Sequence, residues 1–273
     1  MIISASRKTD IPAHYADWFV DSFKQGKFVL HPESHKPRTI NVDTTKVDVI
    51  VFWTKDPANL MGRLNELEGY NYYFQFTLND YPKEFEPTLR PFEARLKTFQ
   101  ELSDRIGPSR VIWRYDPIII SDLTPINYHI DRIKYISNQL AGKTERLVIS
   151  FMDYYRFVLE RMGDVKFVNP TDQETNDMCQ QIVEVCKPIE VFSCAENITC
   201  VNHGACIDTD LINKIFGLSL EYKKDYGQRG ACLCTESIDV GTYNTCTHNC
   251  KYCYANNQIV ETTVSCPTNV GLF

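Results

Sequence analysis

Near the end of the chain, Cys246, Cys250 and Cys253 stand at C-x3-C-x2-C spacing in Cys246-Thr247-His248-Asn249-Cys250-Lys251-Tyr252-Cys253-Tyr254-Ala255-Asn256. One curled loop can aim three thiols so closely spaced at a single metal centre. A four-iron cluster usually takes four cysteines. Three would hold three of its irons and leave the fourth for a small molecule. Zinc is the other metal this spacing admits. It needs four ligands in a structural site, and His248 or Cys266 would supply the fourth.

Cys194, Cys206, Cys232 and Cys234 form a second candidate group. The last two stand at i and i+2, so extended backbone turns both to one side. Four thiols complete a ligand set for a second four-iron cluster or for structural zinc. Cys200 lies between Cys194 and Cys206 and competes for a place. Cys179 and Cys186 are seven residues apart on a helical pattern and read as small core residues. His31 and His35, in a Pro-containing loop, read as surface histidines, because two imidazoles fall short of a usual ligand count.

The triple-Cys loop, with aromatic Tyr252 directly before its last thiol, resembles the cluster motif of radical S-adenosylmethionine (SAM) enzymes. Tyr252-Cys253-Tyr254-Ala255 looks most like the branch that includes spore photoproduct lyase. More of the chain is similar to the domain of unknown function 1848 family. The segments that carry this are Ala5-Ser6-Arg7-Lys8-Thr9-Asp10-Ile11-Pro12-Ala13, Phe52-Trp53-Thr54-Lys55, Cys194-Ala195-Glu196, and Gln228-Arg229 before Cys232-Leu233-Cys234. Cys-Ala-Glu, Ala-Cys-Ile-Asp and Cys-x-Cys look like features of that family, which favours Cys194, Cys206, Cys232 and Cys234 as the second set.

The resemblance implies a [4Fe-4S] cluster held by Cys246, Cys250 and Cys253 beside Tyr252, with a second cluster as an option. It implies SAM as co-substrate, a 5′-deoxyadenosyl radical, a small-molecule substrate, and an electron donor such as ferredoxin or flavodoxin. Two other functions stand beside it. One is a non-catalytic barrel stapled by zinc or a passive cluster. The other is a nucleic-acid lesion repair lyase.

Chemistry of this kind needs a scaffold. Six segments read as short buried strands: Ile2–Ser6, Val47–Trp53, Tyr72–Leu78, Arg110–Tyr115, Leu147–Met152 and Ile189–Cys194. Helical faces lie between them: Ala16, Phe19, Val20 and Phe23; Leu60, Leu64 and Leu67; Phe92, Leu96, Phe99 and Leu102; Ile126, Ile130, Ile133 and Leu140; Met178, Ile182 and Val185. Strand and helix alternating about six times predict an α/β fold with parallel strands, a TIM-like (β/α) barrel over residues 1–225. A Cys-rich cluster-binding segment, 226–273, packs on it. The runner-up is an open doubly wound sheet, weakened because no G-x-G-x-x-G follows the first strand. Radical SAM enzymes usually carry the Cys loop after the first barrel strand. Here it comes last, so the barrel is circularly permuted or the loop was attached independently.

Active-site residues of such barrels sit where strands end. Those ends carry Arg7 and Asp10; Thr54, Lys55 and Asp56; Asn79 and Asp80; Arg114 and Asp116; Asp153; and Glu196 beside Cys194. Arg7, Asp10, Lys55, Arg114, Asp116, Asp153 and Glu196 are the candidate catalytic residues. Any one of them could simply pair with a neighbour; together they would line a polar mouth. Arginine grips carboxylates bidentately, which suits a polar substrate or the SAM carboxylate.

Net charge is −6, which speaks against a broadly basic nucleic-acid surface. No apolar run reaches the ~18 residues of a membrane span, and no signal peptide is evident. A cytoplasmic location is therefore expected. There, the odd count of 11 cysteines favours metal or catalysis over a disulfide framework.

Overall fold

Side chains alternate along each strand, and that alternation builds two different interiors. In the computed structural model the described residues are 1–32, 36–194, 196, 198–228 and 230–257. His35, Ala195, Arg229 and Cys266 lie outside them. The strands are β1 (Ile2–Ala5), β2 (Lys27–Leu30), β3 (Arg38–Asn41), β4 (Val49–Thr54), β5 (Tyr72–Thr77), β6 (Val111–Ile118), β7 (Arg146–Phe151), β8 (Glu190–Cys194), β9 (Asn202–Gly204) and β10 (Ile238–Asp239). The helices are α1 (Ile11–His14), α2 (Ala16–Lys24), α3 (Ala58–Met61), α4 (Phe92–Ile106), α5 (Ile126–Gln139), α6 (Arg156–Met162), α7 (Asp172–Cys186) and α8 (Thr209–Phe216).

Eight strands form one sheet in the order β10-β1-β4-β5-β6-β7-β8-β9, and every pairing in it is parallel. β2 and β3 make a separate antiparallel pair. From β1 to β9 the order follows the chain without reversal. Crossovers of one hand then put the crossover helices α2, α3, α4, α5 and α7 on the same face, whereas a doubly wound sheet reverses at a switch point. The packing agrees. Ile3, Phe52, Phe74, Trp113 and Ile149 share one core with Phe19 of α2, Leu60 of α3, Phe99 of α4, Ile133 of α5 and Ile182 of α7. Among the described residues the pairings do not join β9 to β10, so the backbone shows an eight-stranded parallel sheet with two short edges. No described helix is long and apolar enough to cross a membrane.

The other face is divided in two. Ile2, Val49, Val51, Tyr73, Ile112 and Val148 meet Leu211 and Ile212 of α8, which close an apolar floor. Two residues further along the same strand faces come Ser4, Gln75, Arg114 and Ser150, all buried. The switch from apolar to polar along one face fixes where chemistry can occur.

All six expected strands form, within a few residues of their expected ends. The helix expected through Leu60, Leu64 and Leu67 is instead the short α3 followed by a 3-10 turn, Leu64–Leu67. Gly62 and Arg63 interrupt it, and Arg63 ties the break to Asp17, Asp21 and Glu66. Leu64 and Leu67 stay buried because a 3-10 turn repeats every third residue. Leu140 caps α5 rather than belonging to it.

Ile212 is fully buried against the floor. Replacing it with alanine is expected to cost about 2–5 kcal/mol, read as a fall in the urea midpoint at unchanged slope.

Candidate active site

Above the floor lies a cavity of about 440 Å³. Its wall holds both thiol groups, Cys194, Cys206, Cys232 and Cys234 on one side and Cys246, Cys250 and Cys253 on the other, with Arg7, Asp10, Lys55, Arg114, Asp116, Asp153 and Tyr252. Six of the seven candidate catalytic residues are thus brought together. Glu196 lies off this wall, where its carboxylate accepts the Phe151 N–H at 3.3 Å. Of the other strand-end residues, Thr54 lines the cavity, Asp56 pairs with Arg90, and Asp80 pairs with Arg132 at 3.2 Å. Asn79 accepts the Asp116 N–H at 3.2 Å.

The Cys246–Asn256 loop has no regular structure, so other elements must satisfy its backbone. Tyr15 donates to Thr245 O at 2.6 Å. Thr88 donates to Thr247 O and His248 O, and Arg161 to Cys253 O and Asn256 O. Within the loop the Asn256 amide donates to Cys246 O at 2.9 Å. Asn249 takes the left-handed φ of 52°, a conformation asparagine tolerates well.

Tyr252 lines the cavity and anchors the loop. Its buried hydroxyl donates to Glu86, and its ring meets Tyr81 at 5.7 Å. Glu86, 2% exposed, also takes Lys55 Nζ at 2.8 Å and faces Arg95 at 3.5 Å. Burial alone would raise the Glu86 carboxyl, but Lys55 and Arg95 hold it below its ordinary value. Burial likewise disfavours the Lys55 ammonium, yet Glu86 and then Cys250 keep it raised and charged. Burial drives the Cys250 thiol well up, opposed chiefly by Lys55. Lys55 is therefore the ready counter-charge for a thiolate at Cys250. Glu86 gave no sequence signal, because it stands in a loop away from any strand end.

Asp10 and His248 form a second junction. Asp10 Oδ1 caps α1 by accepting the Ala13 N–H at 3.0 Å. Its Oδ2 accepts the Lys55 N–H at 2.7 Å and contacts His248 Nε2 at 2.9 Å. Burial would raise this carboxyl, but the His248 bond and charge hold it below its ordinary value. His14 is pushed down to about 4 by burial and by His248, so it stays a neutral imidazole. The ligand atoms of His14, Cys246 and His248 all lie within 4.8 Å of one another. A carboxylate on the far nitrogen of a histidine is a common outer shell of metal sites. His248 is one of the two candidates for a fourth zinc ligand read from the sequence. His14 is not, since nothing local marks it.

In the other thiol group, Cys206 Sγ lies 3.0 Å from Cys194 Sγ, well beyond the ~2.05 Å of a disulfide, and all four cysteines are free. Arg114 Nη1 donates to Cys206 Sγ at 2.8 Å, and its Nη2 pairs with Asp116. Asp116 also accepts the Ser150 hydroxyl. Gln75 and Tyr73 donate to Cys206 O at 2.6 and 2.9 Å. Cys200 stands apart, its sulfur 3.7 Å from Asn176 O. Cys179 and Cys186 are buried in the helix-side core, as expected.

The model of the domain of unknown function family DUF1848 matches residues 2–255. The chain belongs to that family. No curated protein and no solved structure matches it. In this DUF1848 chain the match runs through both thiol groups and every cavity residue named above.

Two substitutions probe the site's framework. Glu86→Ala strands Lys55 and Arg95 in a buried setting and is expected to cost about 3–5 kcal/mol, measured by denaturant unfolding. A Cβ on Gly241 would sit 2.1 Å from Ser6 Oγ, and Ser6 in turn donates to Asp239 of β10 at 2.6 Å. Gly241→Ala is expected to cost about 1–3 kcal/mol, seen as a lower melting temperature.

Proposed function

We propose that this DUF1848 chain is a radical SAM-type iron–sulfur enzyme acting on a small polar molecule. The supporting observation is that Cys246, Cys250 and Cys253 face the same cavity as Arg7, Asp10, Lys55, Arg114, Asp116 and Asp153. The parallel sheet is read as a (β/α) barrel with its seam between β9 and β10, and the Cys loop lies across its open end. Three thiols fit three irons of a four-iron cluster, and Lys55 and Arg161 lie in electrostatic reach of Cys250, as an anionic centre requires.

When bound, such a cluster supplies the electron that splits SAM into methionine and a 5′-deoxyadenosyl radical. The chain's own residues bind, orient and shield. Arg7 is the carboxylate clamp. Its guanidinium lies 5.3 Å over Trp53 and 3.6 Å from Asp225, and its Nη2 is buried without a hydrogen-bond partner. Arg114 is committed to Asp116 and Cys206, so it orients Asp116 rather than binding substrate. Asp116 and Asp153 line the cavity and would accept from hydroxyl or amine groups. The cavity wall would shield a radical from part of the surrounding water and from rival hydrogen donors.

A second reading has its own observation. His14, Cys246 and His248 suit one zinc ion with an open fourth position, which would make the protein a metal-stapled barrel or a non-radical metalloprotein. The two readings share Cys246 but differ at Cys250 and His14. Anaerobic protein with iron and sulfide loaded is expected to form 5′-deoxyadenosine when reduced with SAM. Cys250→Ala should lose that iron and the product, while His14→Ala should retain both. Zinc that survives Cys250→Ala and leaves with His14→Ala, without any deoxyadenosine from wild type, rejects the radical reading.

A further inference from the structure

The geometry points to a second, independent metal centre at Cys194, Cys206, Cys232 and Cys234, whose ion or cluster clasps the two free edges of the sheet. It does not require the radical chemistry proposed above. Cys194 is the last residue of β8, Cys206 follows edge strand β9, and Cys232 and Cys234 precede edge strand β10. Ligation of all four thiols would therefore join β8 and β9 to the segment that pairs with β1. That is the one junction along the sheet that strand pairing does not make among the described residues. The chain already approaches there, because the Thr235 N–H donates to Ile207 O at 2.9 Å.

Four buried thiols could be ordinary apolar filling, but their surroundings are not apolar. The thiols lie in a ring: Cys194 neighbours Cys206, at 3.0 Å, and Cys232, and Cys234 neighbours the same two. Arg114, 5% exposed, directs a charged donor at Cys206 Sγ from 2.8 Å. Arg7 lies in electrostatic reach of Cys206 and Cys234. Tyr73 and Gln75 fix the Cys206 backbone from the inner face of β5. A guanidinium hydrogen-bonded to sulfur is costly to bury beside a neutral thiol and favourable beside a thiolate. Thiolates packed together need a cation among them. The ligand class is a thiophilic metal held by four sulfurs, as one tetrahedral zinc or as a second four-iron cluster.

The test uses full-length protein prepared without oxygen, in wild type and in Cys250→Ala protein that also carries His14→Ala, so that neither a cluster nor a zinc ion remains at the triple-Cys loop. This doubly substituted protein is expected to retain either about one zinc or about four irons per chain, and these two results separate the ion from the cluster. X-ray absorption at that metal's edge should show four sulfur neighbours, at about 2.3 Å for zinc. Adding Cys232→Ser and Cys234→Ser should remove that metal and speed amide exchange at 202–207 and 235–240, whereas Cys200→Ser should change neither. If the variant with both serines fails to fold, metal content and sulfur count in the Cys250→Ala, His14→Ala protein still decide. No retained metal, a first shell with fewer than four sulfurs, or a Cys194–Cys206 disulfide in oxygen-free protein overturns the assignment.

Discussion

The carboxylate of Asp10 is the constraint on which the site depends. One group starts α1, holds the backbone at Lys55 after β4, and receives His248 from a loop 238 residues further along the chain. A buried carboxylate must be surrounded by donors, so these three elements can be brought together in only a few ways. Its carboxyl is held below the ordinary range. The cross-link is therefore at full strength near neutral pH and is lost only as acid titrates the group through that lowered value.

Around this junction opposed charges are set into a cavity wall that also holds apolar side chains such as Trp53, Phe151 and Met152. Glu86 gathers Lys55, Arg95 and Tyr252 beneath one thiol group. Arg114 and Asp116 stand beneath the other. Each ion pair has its own hydrogen-bond supports, as buried charges require if they are to be tolerated. Both thiol groups consequently sit within reach of a fixed cation, Lys55 for Cys250 and Arg114 for Cys206. That is the electrostatic setting in which thiolates bind metal.

The helix-covered face and the inner face serve different ends. Large aromatics such as Phe52, Phe74, Trp113 and Phe99 fill the outer core and give the strands a rigid platform. The inner face is apolar only as far as α8 reaches. Beyond that, the same period of two that put Ile112 and Val148 on the floor puts Arg114 and Ser150 in the cavity wall. Binding groups on rigid strands keep their geometry better than groups on loops alone. The loop that carries Cys246, Cys250 and Cys253 gains comparable order from the side chains that hold its carbonyls.

Much of the architecture was legible in the chain itself. Runs such as Val49–Thr54 and Tyr72–Thr77 are strands because β-branched and aromatic residues fit a doubly buried sheet. The helices α2, α4, α5 and α7 follow from apolar spacing, a local property. The short edges β9 and β10 and the antiparallel pair β2–β3 carry too few residues for any period to show, whereas the plug α8 does carry a helical face in Leu211, Ile212, Ile215 and Phe216. That Cys246, Cys250 and Cys253 line one cavity accords with their close spacing. The gathering of Cys194 with Cys206, Cys232 and Cys234 was suggested by a resemblance, and the fold brings them together. His14 beside Cys246, Glu86 beneath Tyr252, Cys200 turned toward α7 and Glu196 turned off the cavity wall were decided by tertiary structure alone. These contacts join residues far apart in sequence, and no local pattern of residue types records which distant partner a buried charge or thiol will meet.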